Sequence, residues 1–341
     1  IGACVARWLA ERDTPRVVLT SRSGPSAEGA VELAAAMAAA GTAVDIVSCD
    51  TGVRRDVTDL VARIEATGPG LSTVLHSANT GYLARVEDTT REGLAAALSA
   101  KAAGATYLDE ATAALDVDEF VLFSSISATW GSNDHGPYAA GNAFLDGLAE
   151  DRRARGLPGT SIAWGVWDSR DWDAVDDLMD HSPGRVTPRR LRRQGMNFLE
   201  TERALTALDQ TLADDETFIA LADVTWEKFA PVFRAARPRP LLDAIPEARE
   251  QEDRGPAAAG SDRSAEATGE LFRALAGLTA AERRRAVVEL VRAHAAAVLG
   301  HGTAAEVPTT RAFRELGFDS LTAVELRNRL GGAAGVRLPA T

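Results

Sequence analysis

Along the chain, short and almost wholly apolar runs alternate with longer stretches in which apolar residues recur every three or four positions. Val17–Thr20, Val44–Cys49, Thr73–His76, Phe120–Phe123, Ser161–Trp164 and Phe218–Ala222 read as buried strands. Between them, Ile1–Glu11 carries a helical pattern with Val5, Trp8, Leu9 and Ala10 inward, and Ala27–Ala40, Val57–Ala66, Arg91–Ala114 and Glu200–Ala213 read as helices too. A further helix runs from Tyr138 and is punctuated by Gly156 and Pro158. Strands alternating with helices predict an α/β fold built on a doubly wound parallel sheet. The stretch 165–196, rich in Asp and Arg, reads as a loop with short helices, placed where a lid would close over a site.

The pattern changes at Glu247. From there to Glu270 the chain is Ala, Gly, Ser, Asp, Glu and Arg without bulky apolar residues. Such a segment buries too little surface to offset its ordering entropy, and it is expected to be a flexible linker with a reach of roughly 25 Å. Beyond it, Arg284–Leu299 is an amphipathic helix, and Phe313, Leu316, Leu321, Val324 and Leu326 form an apolar stripe. Gly317, Phe318 and Asp319 interrupt that stripe just before Ser320, which predicts a serine exposed at a helix start.

Composition narrows the classes. A chain of 341 residues has room for two cores, and a net charge of -12 makes nucleic acid an unsuitable partner. Cys4 and Cys49 are too few for a disulfide framework and lack metal-ligand spacing, so no metal is expected. No apolar run reaches the ~20 residues of a membrane span, and no signal peptide opens the chain, which makes a cytoplasmic setting the expectation. Ile1 in place of methionine, and an end at Thr341 just past an apolar segment, suggest cuts in a longer polypeptide.

The candidate chemistry lies where the Phe120–Phe123 strand ends. Ser124 and Ser125 follow the strand, and Tyr138 and Asn142, four apart, share one face of the next helix. Ligands of open α/β sheets bind outside the carboxyl ends of the strands. A serine there, with a tyrosine and an amide, offers a hydroxyl, a phenol and an amide to one small carbonyl.

FVLFSSISATWGSNDHGPYAAGNAFLD, residues 120–146, resembles the short-chain dehydrogenase/reductase superfamily and, more narrowly, the ketoreductase domains of modular polyketide synthases. The resemblance implies that Ser125 holds the ketone oxygen and that Tyr138, thirteen residues later, donates the proton. Most free-standing relatives carry a lysine four residues after the tyrosine; here that residue is Asn142. The synthase-type enzymes have the two exchanged, and Lys101 in LSAKAAGATYL lies at the matching distance upstream. Asn142 would orient Lys101 or a bridging water. The fold implied is a Rossmann-like sheet whose first strand is missing, with Gly2 the last glycine of a TGGTGGIG-type turn. Alone, Arg22 reads as a solvated surface residue; in the family's frame it recognises the 2′-phosphate of NADPH, and Asp50 contacts the adenine. Asn79 stands where relatives commonly have a glycine, and asparagine's tolerance of left-handed backbone is expected to preserve that turn. Gly81, Tyr82 and Leu83 occupy the positions of a Leu-Asp-Asp signature. The lost signature, with Trp130 five residues after Ser125, resembles the A-type subgroup that leaves an L-hydroxyl. His135 resembles the subgroup acting on an α-epimerised methyl group.

LGFDSLTAVELRNRL resembles the acyl carrier proteins of the same synthases, an all-α helix bundle truncated here, with Ser320 attaching 4′-phosphopantetheine. The implied organisation is a ketoreductase over 1–246, a linker over 247–270 and a carrier over 271–341. Its activity would be NADPH-dependent reduction of a carrier-bound β-ketoacyl thioester during antibiotic-type polyketide assembly. Implied partners are that thioester, the synthase's other domains, a phosphopantetheinyl transferase and a second copy of the parent synthase. Two rivals are a redox-silent, structural ketoreductase-like domain in a carrier-delivery module and a free-standing reductase of small ketones or steroids. An intact Lys101, Ser125, Tyr138 and Asn142 set argues against the first, and the carrier sequence against the second. With a strand order of the 3-2-1-4-5-6-7 type, the neighbours of the missing strand are expected to show open edges, and the chain to bind NADPH poorly and be unstable.

Overall fold

The computed structural model describes residues 1–132, 135–168, 187–234, 239–253, 275–299, 303–316, 318, 320–334 and 338. It opens with α1 (Gly2–Ala10), β1 (Arg16–Ser21), α2 (Ala30–Ala39), β2 (Ala43–Ser48), α3 (Arg54–Thr67) and β3 (Thr73–His76). α4 (Arg91–Leu98), α5 (Gly104–Thr112), β4 (Glu119–Ser125), α6 (Ile126–Trp130), α7 (Gly136–Ala154) and β5 (Thr160–Trp164) follow. β6 (Val166–Asp168), β7 (Phe198–Glu200), helix Thr201–Ala213 and β8 (Phe218–Leu221) complete this part.

Every strand pair is parallel, as the alternation of elements predicts. The main sheet runs β3-β4-β5-β8, and β1 pairs with β2 as a separate two-stranded ladder. β1 and β3 therefore each have a partner on one side only among the described residues. β6 and β7 form a small third ladder that the sequence pattern does not announce. β4 and β5 are the centre of the core: Phe120, Val121, Leu122, Ile162 and Ala163 are fully buried, as their continuous apolar runs require. α1 joins the ladders. Val5 packs with Val121, Phe123, Ile162 and Trp164, whereas Ala6 and Ala10, on the next stripe, pack with Leu33 and Met37 over β1 and β2.

Three expectations change. The helix expected over Arg91–Ala114 is broken by a π-helical turn, Ser99–Ala103, that carries Lys101. Asn79 is not left-handed: the positive φ of 72° belongs to Gly81, whose N–H bonds Asn79 Oδ1 at 3.2 Å. Asparagine thus serves the turn as a side-chain acceptor rather than through its backbone. The first residues of the expected linker are not extended chain: Pro246–Asp253 is a helix whose Ala248 is buried with Ala230 and Leu242. Small alanines on one face suffice where Trp226, Phe229, Phe233 and Ile245 supply the bulk. The rest of the linker and residues 169–186 of the expected lid lie outside the described residues.

The described residues fall into two compact units. One holds α1–α7, β1–β8 and helix Thr201–Ala213; the other holds helix Pro188–Arg193 and the chain from Val224 onward. In the second, helix Ala280–Leu299 starts earlier than its apolar pattern, because Thr279 and Glu282 cap it: the Thr279 N–H and hydroxyl both donate to Glu282 Oε2. Ala295, Ala296, Val298, Val307, Phe318 and Leu326 form its small core. Phe318, expected to interrupt the stripe, is buried, whereas Phe313 is exposed and packs edge-on against it at 4.9 Å. The serine at 320 opens helix Ser320–Ala334, where the sequence places it.

Candidate active site

The expected site residues meet at the carboxyl end of β4. Lys101 is buried at 4% exposure, and Nζ donates to the Phe123 carbonyl at 2.9 Å. Its backbone is held from another side, since the buried His76, last residue of β3, sets Nε2 3.3 Å from the Lys101 carbonyl. The π-helical turn makes this possible: one extra residue per turn re-aims a side chain, and such turns are frequent at functional sites. Gly104 lets the turn sit close on the preceding loop, because a Cβ there would meet Thr51 at 3.0 Å. Burial pushes the Lys101 pKa down to about 8, with Asp146 acting against it.

Tyr138 enters from the first turn of α7. Lys101 Nζ lies 5.6 Å from the centroid of its ring, and the His135 ring stands edge-on to it at 5.9 Å. The Gly136 N–H donates to the Ala84 carbonyl at 3.0 Å, which ties the start of α7 to the segment after β3. Asn142, fully buried, donates through Nδ2 to the Tyr138 carbonyl at 2.7 Å, and its Oδ1 is a buried acceptor without a partner. The amide thus spends its donor on its own helix, and no bond from it to Lys101 is formed.

Ser125 caps the short helix α6. Its Oγ accepts from Ser127 N at 3.2 Å and from Ser127 Oγ at 3.0 Å. With both lone pairs engaged, the Ser125 hydroxyl is left to act as a donor, the role a ketone oxygen calls for. Trp130 ends α6, and Gly131 at φ 85° turns the chain away from it.

Three further groups belong to the site and escape a reading by family pattern: His76, Ser127 and Asp146. The spacing does point to Asp146, since Tyr138, Asn142 and Asp146 recur every four residues along one face of α7.

The expected dinucleotide-binding residues stand at the carboxyl ends of β1, β2 and β3. α1 has neither an acidic first turn nor a side-chain cap, so its N-terminal N–H groups suit an anion. At Gly2 a Cβ would come within 3.4 Å of Ser77 Oγ, just past β3. Arg22 is exposed after β1, its carbonyl accepting from Ser48 Oγ at 2.7 Å. Asp50 follows β2, and its Oδ1 accepts from Gly52 N at 2.9 Å. Residues at these strand ends suit a dinucleotide.

Residues 1–169 match the KR domain family, and residues 289–341 match the family described as phosphopantetheine attachment site. The chain is 44% identical over its whole length to the pikromycin polyketide synthase component PikAIII of Streptomyces venezuelae and 43% identical to the polyketide synthase GfsA of Streptomyces halstedii. It spans 21% and 4% of these relatives' lengths. Among solved structures it is similar to A-type ketoreductases from a modular polyketide synthase (44% identity, TM-score 0.66) and to an A1-type ketoreductase (44%, 0.67). Each match covers 73% of this chain and 50% of the other. The chain belongs to the modular polyketide synthases, as a ketoreductase domain followed by a carrier domain.

In the ketoreductase domain, Tyr82 of the segment Gly81–Leu83 packs against α4. The Tyr82 hydroxyl lies against Gly93, where it fills the space a side chain there would take. No helix among the described residues is long and apolar enough to cross a membrane.

Proposed function

We propose that this chain reduces a carrier-bound β-ketoacyl thioester to the β-hydroxyacyl thioester with NADPH, and leaves an L-hydroxyl. The observation that carries this reading is the buried lysine beneath the Tyr138 ring, fixed by a β4 carbonyl two residues before Ser125. A cation is costly to bury and is retained where its charge is used.

NADPH, when bound, supplies the hydride. Everything else falls to the chain. Ser125 donates a hydrogen bond to the ketone oxygen as charge develops there. Tyr138 gives that oxygen its proton, and the positive charge on Lys101 favours the phenolate left behind. Asn142 Oδ1, a buried acceptor with no partner, suits Lys101 or a bridging water. Gly2, Arg22 and Asp50 hold the dinucleotide, Arg22 through the 2′-phosphate. Trp130 and His135 set the face of the ketone that is presented, with the indole closing one entry path to the tethered substrate. The likeness to A-type structures supports this assignment.

Ser320, at the start of its helix, takes the phosphopantetheine arm from a transferase and makes substrate capture intramolecular, at an effective concentration on the order of millimolar. The ketoreductase occupies residues 1–246 and the carrier 271–341, with residues 247–270 joining them. The synthase's other domains and a second copy of the synthase are its expected partners.

One experiment tests the whole. Within the parent synthase module, a 2-methyl-3-ketoacyl pantetheine arm is loaded on Ser320 by a phosphopantetheinyl transferase, NADPH is added, and the arm is followed by mass and by chiral chromatography after release. The arm should gain two hydrogens and yield the L-hydroxyl; Ser320→Ala should not load, and Tyr138→Phe should load but lose most reduction. Equal turnover in Tyr138→Phe removes the tyrosine from the mechanism, a D-hydroxyl product removes the A-type assignment, and a loaded but unreduced parent arm favours the redox-silent module.

A further inference from the structure

The face of α7 that carries Tyr138 and Asn142 continues one turn further to Asp146, a half-buried carboxylate to which the reduction assigns no task. Its Oδ1 accepts from the fully buried Ser161 Oγ of β5 at 2.7 Å, and beside it stands Ser124 of β4, whose hydroxyl donates to the Asn142 carbonyl at 3.2 Å. Ser124 is the chain neighbour of Phe123, whose carbonyl takes Lys101 Nζ. Gly141 presses α7 onto the same lysine, since a Cβ there would lie 3.6 Å from Lys101 Cβ and Cδ. Helix and strand therefore bring the half-buried Asp146 and the buried Lys101 to the same stretch of α7 and β4.

Titratable groups surround that lysine from β3 and α7. β3 contributes His76, kept neutral by burial, which lowers its pKa to about 4. α7 contributes Tyr138 and Asp146, and β4 offers only the Phe123 carbonyl and serine hydroxyls. Glu150, the next acid along α7, acts on Asp146 with like charge. Of these groups, Asp146 is the one whose negative charge opposes the lysine's loss of its proton.

We propose that Asp146 is the counter-charge that keeps Lys101 protonated, and through it a positioning residue for the proton donor Tyr138. The second clause rests on the reading of the preceding subsection; the first does not.

The composition of the chain allows a direct test, because Lys101 and Lys228 are its only lysines. In full-length protein labelled with 13C-lysine, without cofactor or substrate, two Cε signals titrate, and Lys228→Arg assigns them. Asp146→Asn preserves an acceptor for Ser161 but removes the charge, and should lower the Lys101 midpoint by roughly one pH unit. Asp146→Ser, smaller and also neutral, repeats the measurement if the amide variant does not fold. Asp146→Glu, which keeps the charge, should leave the midpoint near the parent's. A neutral variant with the parental midpoint overturns the proposal. In the reduction assay the basic limb of the rate profile should move to lower pH in step with the lysine; a lowered midpoint with an unmoved limb overturns the catalytic clause alone, and leaves the counter-charge standing.

Discussion

At Lys101 the proposed role in reduction and the stability of the fold pull in opposite directions. A buried ammonium is a liability to the fold, and its folded-state pKa of about 8 lies below the ordinary 10.5, which amounts to about 3 kcal/mol at neutral pH. Because the folded value is the lower, the cost is present in full below pH 8 and fades as pH rises toward 10.5. Lys101→Met, of similar length and uncharged, should therefore be more stable than the parent at pH 7, by on the order of 1 kcal/mol once the lost bond to the Phe123 carbonyl is counted. The advantage should shrink by pH 10, while reduction is lost at both. Urea unfolding at the two pH values checks this, and a methionine variant less stable than the parent at pH 7 would mean that the ammonium is structural. At this scale the sequence is most informative: Ser125, Tyr138, Asn142 and Lys101 are legible from spacing and family pattern. His76 and Ser127 are not, because a histidine ending a strand and a serine after another serine carry no signal until their hydrogen bonds are seen.

The helix that follows the lysine's turn and the helix that carries the tyrosine are joined to one another away from the Lys101 cluster. Asp109 of α5 is the common partner of Arg152 and Arg155 at the end of α7; Arg155 Nη2 meets its oxygens at 2.9 and 3.0 Å. Arg152 is almost fully buried; it also donates to the Pro158 carbonyl at 2.7 Å and lies over the Phe120 ring at 3.7 Å. Removing one partner from a buried pair strands the other, at about 3 kcal/mol or more, whereas an exposed ion pair contributes about 1 kcal/mol or less. Arg155 would still pair Asp109 in Arg152→Ala, but that variant also loses the bond to the Pro158 carbonyl and the packing on Phe120, so it should destabilise the fold more than Arg155→Ala, whose side chain is 39% exposed. Denaturant midpoints compare the two, and equal losses would show that the carboxylate depends on neither guanidinium in particular. Elements of this kind were legible as periodicity, so the strands and most helices agree with it to within a few residues. The π-helical turn escaped because a one-residue insertion leaves the apolar pattern of 91–114 nearly unchanged. β6 and β7 escaped because strands of three residues are too short to carry a period.

At the scale of the whole sheet, pairing and burial distribute stability unevenly. β5 is buried along its entire length and β4 from Phe120 onward, and each has a ladder partner on both sides. β1 and β2 have no buried residue, and they pair only with each other among the described residues. What ties them to the main sheet is side-chain packing alone: α1 on one face, with Ala6 and Ala10 on one stripe and Val5 on the other, and on the opposite face Val18 and Val47, half-buried against the cluster of Val57, Leu60, Val74 and Phe120. With no ladder hydrogen bonds across it and only half-buried strand residues, this joint is weaker than the ladders it connects. Local opening follows such boundaries, in cooperative units set by burial and hydrogen bonding. The β1–β2 layer should therefore open without β4 and β5, and its amides should exchange at least tenfold faster, a gap of about 1.4 kcal/mol. A dinucleotide held by Gly2, Arg22 and Asp50 would touch α1 and the ends of both outer strands, and binding only the closed form would narrow that gap. Native-state hydrogen exchange with and without NADPH measures both effects. Equal protection of β2 and β5 in the free chain would show one cooperative sheet. A gap unchanged by saturating NADPH would place the cofactor away from β1 and β2.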